Sequence, residues 1–150
     1  MTAERALGSD APVILVVDDE EVVAEELAAG LARFGFRARH SACPLRALEM
    51  LAAAPEVSVL VSDLRMPGMD GLTLARTAFA QRDAATMLAV VLITADGDRA
   101  ELLEALRGAI SGFVRKPFRV AQVAEAVRLA HEETMRHRAA ASAAPAEACC

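Results

Sequence analysis

Apolar and polar positions alternate in blocks along this chain. VILVV at 13–17 is a continuous β-branched apolar run that stops at Asp18 and Asp19. A run that is apolar at every position suits a strand buried on both faces. Val22, Val23, Leu27, Leu31 and Phe34 then recur at helical spacing, with Gly35 as a helix stop. FRARH at 36–40 alternates like a short strand, and Pro44 suits a helix first turn followed by Leu45, Leu48 and Leu51. VSVLVS at 57–62 is a second buried run, and it stops at Asp63. LRMPGMDG at 64–71 reads as a loop ending in a candidate cap, Asp70, before the helical positions Leu72, Leu74, Ala75, Ala78 and Phe79. MLAVVLI at 87–93 is a third buried run that stops at Thr94. ADGD at 95–98 opens a helix through Leu102, Leu103 and Leu106, ended by Gly108. A short strand at 113–115 runs into Lys116-Pro117, and a last helix carries Val120, Val123, Val127 and Ala130 and frays near Arg138.

Five strands alternating with five helices predict an α/β fold: a doubly wound, five-stranded parallel sheet with helices on both faces. The domain is expected over 12–138, between a loose arm at 1–11 and a disordered Ala-rich tail at 139–150. Binding sites in such sheets lie at the carboxyl ends of the strands, near the point where strand order reverses.

Composition narrows the function. The 150 residues are 55% hydrophobic and 25% charged, enough apolar material for one well-packed domain. The net charge of −5 argues against direct nucleic-acid binding through a basic footprint. No apolar run reaches the roughly 20 residues of a membrane span, and the first residues lack the apolar stretch of a signal peptide. A cytoplasmic protein is expected. Cys43, Cys149 and Cys150 form neither a disulfide framework nor a zinc pattern. Fifteen of the 16 basic residues are arginine, and Lys116 is the single lysine. A lone lysine among so many arginines marks a place that calls for a compact point charge.

The strand-end residues form a set: Asp18 and Asp19 after the first strand, Asp63 after the third, Thr94 after the fourth and Lys116 after the fifth. In the expected fold all lie on one edge of the sheet. Two carboxylates about 4 Å apart repel by on the order of 4 kcal/mol at an effective dielectric near 20. Lys116 or a divalent cation must offset that. All-oxygen donors with few carboxylates suit Mg²⁺. A carboxylate beside Mg²⁺ and a lysine can accept a phosphoryl group, and Thr94 can donate a hydroxyl hydrogen bond to it. Each residue also has a plainer role. Asp19 or Glu20 could cap a helix, Asp63 could serve a turn, and Thr94 could be a β-branched strand end.

The segments VILVVDDE, VSDLRMPGMDG, VVLITA and GFVRKPF resemble the receiver domain of bacterial two-component response regulators, over roughly 12–135. The resemblance implies the flavodoxin-like receiver fold, with Asp63 as phosphoacceptor. It implies that Asp19, Asp63 and the backbone carbonyl of Arg65 ligate Mg²⁺ (or Mn²⁺), with Asp18 acting through water. Lys116 and Thr94 would contact the phosphoryl oxygens, Thr94 and Phe113 would form a switch pair, and Lys116-Pro117 would be a cis peptide. Phe113 stands where many receivers have tyrosine, so the switch ring has no hydroxyl. Arg65 and Asp96 lie two residues beyond Asp63 and Thr94, and form a candidate gate at the mouth of the site.

The expected function follows. A histidine kinase or a histidine phosphotransfer protein passes a phosphoryl group to Asp63 in two-component signalling or a phosphorelay. The new charge alters a face that a downstream protein partner, or a second copy in a phosphorylation-dependent homodimer, recognises. The chain would be no enzyme beyond its own phosphorylation and dephosphorylation. No output domain is evident, so a stand-alone receiver is expected, with a fragment of a longer regulator or hybrid kinase as the alternative. An aspartate-nucleophile phosphohydrolase of the haloacid dehalogenase kind would place its nucleophile in an Asp-x-Asp motif after the first strand. Adjacent Asp18-Asp19 and the absence of a cap insertion disfavour it. A module that never takes phosphate is disfavoured by the complete acidic set.

Overall fold

The computed structural model describes residues 11–95 and 112–143. Five parallel strands form one sheet in the order β2-β1-β3-β4-β5: β1 (Val13–Val17), β2 (Arg37–Ser41), β3 (Val57–Asp63), β4 (Ala89–Thr94) and β5 (Gly112–Arg115). The described helices are α1 (Glu21–Ala32), α2 (Pro44–Ala53), α3 (Gly71–Ala80) and α4 (Val120–Ala143). The helix expected from ADGD to Gly108 lies outside the described residues, so four of the five expected helices are seen.

The apolar runs take the central places. Every residue of β1, β3 and β4 is buried, while the alternating β2 and the short β5 form the edges. Val13, Leu15 and Val17 face a core shared with α2 and α3, and Ile14 and Val16 face one shared with α1 and α4. The register of β3 against β1 slips at Ser58: Val13 pairs with Val57 but Ile14 with Val59. A bulge of this kind re-aims side chains, and Ser58 is fully buried.

Local signals act as read, with adjustments. Pro44 occupies the first turn of α2, and Asp70 caps α3 by accepting the Thr73 N–H at 2.8 Å. At α1 the capping residue is Glu20, yet its side chain makes no cap bond. Asp18 Oδ1 instead accepts the Glu20 N–H at 2.9 Å, so neither Asp19 nor Glu20 caps by side chain. The strands observed at 37–41 and 89–94 sit one to two residues later than 36–40 and 87–93, because pairing with β1 and β3 sets their ends. α4 runs to Ala143 rather than fraying near Arg138, since Thr134 is buried and Arg138 is tied down. No described helix is long and apolar enough to cross a membrane.

Candidate functional site

The strand order reverses between β1 and β3, and the acidic residues stand at that crevice, as open parallel sheets require. Asp18 and Asp19 follow β1, and Asp63 is the last residue of β3. One ligand atom from each of these three lies within 4.8 Å of the others. Asp18 and Asp63 are buried, and Asp19 is exposed at the mouth. Burial holds the Asp18 carboxyl above its ordinary value, with the Asp63 and Asp19 charges adding and the Glu20 N–H opposing.

Lys116 enters from β5, and its Nζ is 2.8 Å from Asp63 Oδ1. That hydrogen bond holds the ammonium above its ordinary pKa, against partial burial. The Lys116 N–H donates to the Thr94 carbonyl at 2.8 Å, so the ends of β4 and β5 fix the lysine backbone. The Lys116-Pro117 bond is cis, as expected. Thr94 is buried at 1% exposure, and its hydroxyl oxygen has no hydrogen-bond partner among the described residues. Phe113 on β5 is half-buried against the core shared by α2 and α3.

The loop after β3 is folded back tightly. The Leu64 N–H donates to the Ile93 carbonyl at 2.9 Å, and the Gly71 N–H to the Leu64 carbonyl at 2.8 Å. A Cβ on Gly71 would run into the Asp63 carbonyl oxygen and the Leu64 Cα. Glycine there lets α3 start against the backbone of Asp63. Periodicity does not mark this role, for which the second Gly in MPGMDG is the available signal. Nor does it mark Ser58, Arg82, His131 and Arg138, which join at the opposite edge of the sheet.

Arg65 is exposed on this loop, and Asp96 lies outside the described residues. The donor set fits a hard divalent ion: three carboxylates converge, all oxygen, with Lys116 beside them. Mg²⁺ or Mn²⁺ matches that chemistry.

The response regulator receiver domain family matches residues 14–128. Over 120 residues the chain is 38% identical to the transcriptional regulatory protein FixJ of Rhizobium meliloti, covering 78% of this chain and 55% of FixJ. It is 30% identical over 109 residues to a chemotaxis protein CheY homolog of Campylobacter jejuni, covering 70% of this chain and 81% of that protein. It is 31% identical to the C4-dicarboxylate transport regulator DctD of Rhizobium meliloti, covering 83% of this chain but only 26% of DctD. The crystal structure of FixJ-N superposes with a TM-score of 0.66 at 34% identity, covering 82% of this chain and 95% of that one. A receiver protein from Pseudomonas putida gives 0.70 at 29% identity, covering 81% and 98%. Receivers of this family are signalling domains that bind Mg²⁺ in an acidic pocket, take a phosphoryl group on aspartate, and work with histidine kinases or phosphotransfer proteins and downstream effectors. With its fold, its acidic crevice and its matched span in agreement, the chain belongs to the response regulator receiver domain family.

Proposed function

We propose that Asp63 is the phosphoacceptor of this receiver. The observation that carries this reading is one carboxylate, buried at the topological switch point, that touches Lys116 Nζ and clusters with Asp18 and Asp19. An Asp63 oxygen attacks the phosphorus of a phosphohistidine. The new O–P bond forms as the P–N bond breaks, and the donor's imidazole leaves. Lys116 holds the attacking carboxylate and then meets the phosphoryl oxygens, stabilising the charge spread over them. Asp18, Asp19 and Asp63, with the Arg65 carbonyl, would hold Mg²⁺ or Mn²⁺, which supplies further positive charge. The Thr94 hydroxyl then gains the partner it lacks among the described residues, and Phe113 moves further inward. The Phe113 ring carries no hydroxyl to hold it at the surface. The face around β5 and α4 is the readout.

The test is incubation with a small-molecule acyl phosphate, with and without Mg²⁺, followed by intact-mass measurement. One phosphoryl group should appear, only with the ion. Undiminished labelling of Asp63→Asn would overturn the assignment.

Within this reading the receiver unit is 12–138, with α4 continuing past it to Ala143. The protein is cytoplasmic, catalyses only its own phosphorylation and dephosphorylation, and acts as a stand-alone receiver through a protein partner or a homodimer. Likeness over 81% of a CheY homologue supports the stand-alone role. The 55% and 26% coverage of FixJ and DctD supports the second reading, the receiver part of a longer regulator. Immunoblotting native cell extract separates them: one band at this chain's mass, or one well above it. Arg65, with Asp96, is proposed to gate the attacking water, so Arg65→Ala should shorten the phosphoryl lifetime. An unchanged lifetime removes the gate.

A further inference from the structure

The family match ends at residue 128, but α4 continues to Ala143. The residues beyond the match are attached by polar side chains at the N-terminal edge of the sheet. His131 Nδ1 is 2.7 Å from the hydroxyl of Ser58, which the β3 bulge turns toward α4. One turn on, Thr134 is buried. One turn further, Arg138 donates from Nε to the Met87 carbonyl at 2.8 Å and from Nη2 to those of Val57 and Thr86 at 3.1 and 3.2 Å. Arg82 donates to the same Val57 and Thr86 carbonyls, at 3.0 and 2.7 Å. Two guanidinium groups therefore share two acceptors. No salt bridge to either is found among the described residues within 4.0 Å.

We propose that the C-terminal half of α4 is a strap, docked on the N-terminal edge of β3 and β4 while His131 is neutral and released when His131 is protonated. A neutral imidazole lets Nδ1 accept the proton of the buried Ser58 hydroxyl. Protonation turns that acceptor into a donor, so the Ser58 hydroxyl proton loses this partner. It also adds a third cation to Arg138 and Arg82. The groups around His131 do little to offset that charge. On α4 these are Arg138, which opposes it, and exposed Glu132, which favours it. The facing stretches of β3 (Val57–Val61) and β4 (Ala89–Val91) carry no ionisable side chain. The ionisable side chains of α1, namely Glu21, Glu25 and Glu26, are exposed, as is Arg33 at its end. Burial and Arg138 hold His131 below the ordinary 6.5. A histidine depressed in the docked state keeps the strap docked above that value and loses it as pH falls through and below it. The strap would thus respond to acidification independently of Asp63.

The test is hydrogen exchange on the full chain at about pH 7.5 and about pH 5, read as protection factors. Acidification should lower protection at 131–143 about tenfold or more while 120–127 holds. His131→Gln, which can bond Ser58 without titrating, should keep its protection at both pH values. Unchanged protection in the parent, or an equal loss in His131→Gln, overturns the proposal. If that variant does not fold, the NMR titration of the His131 ring decides. Its midpoint must coincide with the loss of protection, and a mismatch overturns the strap.

Discussion

Lys116 Nζ and Asp63 Oδ1 lie 2.8 Å apart, bringing the single lysine of the chain onto a buried carboxylate from a strand two places away in the sheet. Lys116 is 47% exposed on its side chain but Asp63 is buried, so the ammonium offsets part of the repulsion among the carboxylates. On the proposed assignment it also serves the reaction. Lys116→Ala should slow phosphorylation by an acyl phosphate about 100-fold, the usual loss when one stabilising donor is removed, and should lower the melting temperature. Lys116→Arg should rescue poorly, since a planar fork cannot sit where a point charge fits. Single-turnover mass kinetics measure both.

Mg²⁺ should stabilise the fold by mass action, about 2.7 kcal/mol at 100 times its dissociation constant. Burial holds the Asp18 carboxyl above 3.8, so its ionisation is costlier folded than unfolded. Without the ion, stability therefore falls as pH rises from 3.8 through the raised value. With the ion, deprotonation is needed for binding, so the slope reverses. The gap between melting curves with and without Mg²⁺ should widen as pH rises through that window. A gap independent of pH would remove Asp18 from the metal site.

The Thr94 hydroxyl, without a partner among the described residues, separates stability from switching. Thr94→Val keeps the shape and removes that buried polar atom. Stability should rise by about 1 kcal/mol, and the phosphorylated protein should show smaller NMR shifts on β5 and α4 than the parent. A loss of stability on chemical denaturation would show that the hydroxyl is satisfied.

Gly71→Ala would press a methyl group onto the Asp63 carbonyl oxygen and Leu64 Cα, neither of which can step aside cheaply. A cost of about 1–3 kcal/mol is expected, together with slower phosphorylation, because the backbone that must shift carries the proposed acceptor. A variant as stable and as fast as the parent would refute the close approach.

Arg82 donates to the carbonyls of Leu51, Ala54, Pro55, Val57 and Thr86, closing the bottom of β3 and the turn into β4. Arg82→Lys should cost about 1–3 kcal/mol in urea unfolding, because an ammonium cannot span carbonyls on both sides of the guanidinium fork.

The sequence alone determined the central sheet and the composition of the site. VILVV, VSVLVS and AVVLI could be buried only on both faces, and a parallel sheet of βα units then places whatever follows each run at one edge. Asp18, Asp19, Asp63, Thr94 and Lys116 were legible for that reason, and MPGMDG marked the loop. Other features were decided in three dimensions. The ends of β2 and β4 follow pairing partners rather than hydrophobicity. Asp18 serves the start of α1 because its carboxylate reaches the Glu20 N–H. The tie from Ser58 to His131 spans 73 positions, and Arg82 and Arg138 meet on the same carbonyls 56 residues apart (138 − 82). Periodicity reports which face of an element is apolar. It carries no record of which distant polar group a buried serine or arginine must find, because unmet hydrogen-bonding capacity is settled only when the elements pack.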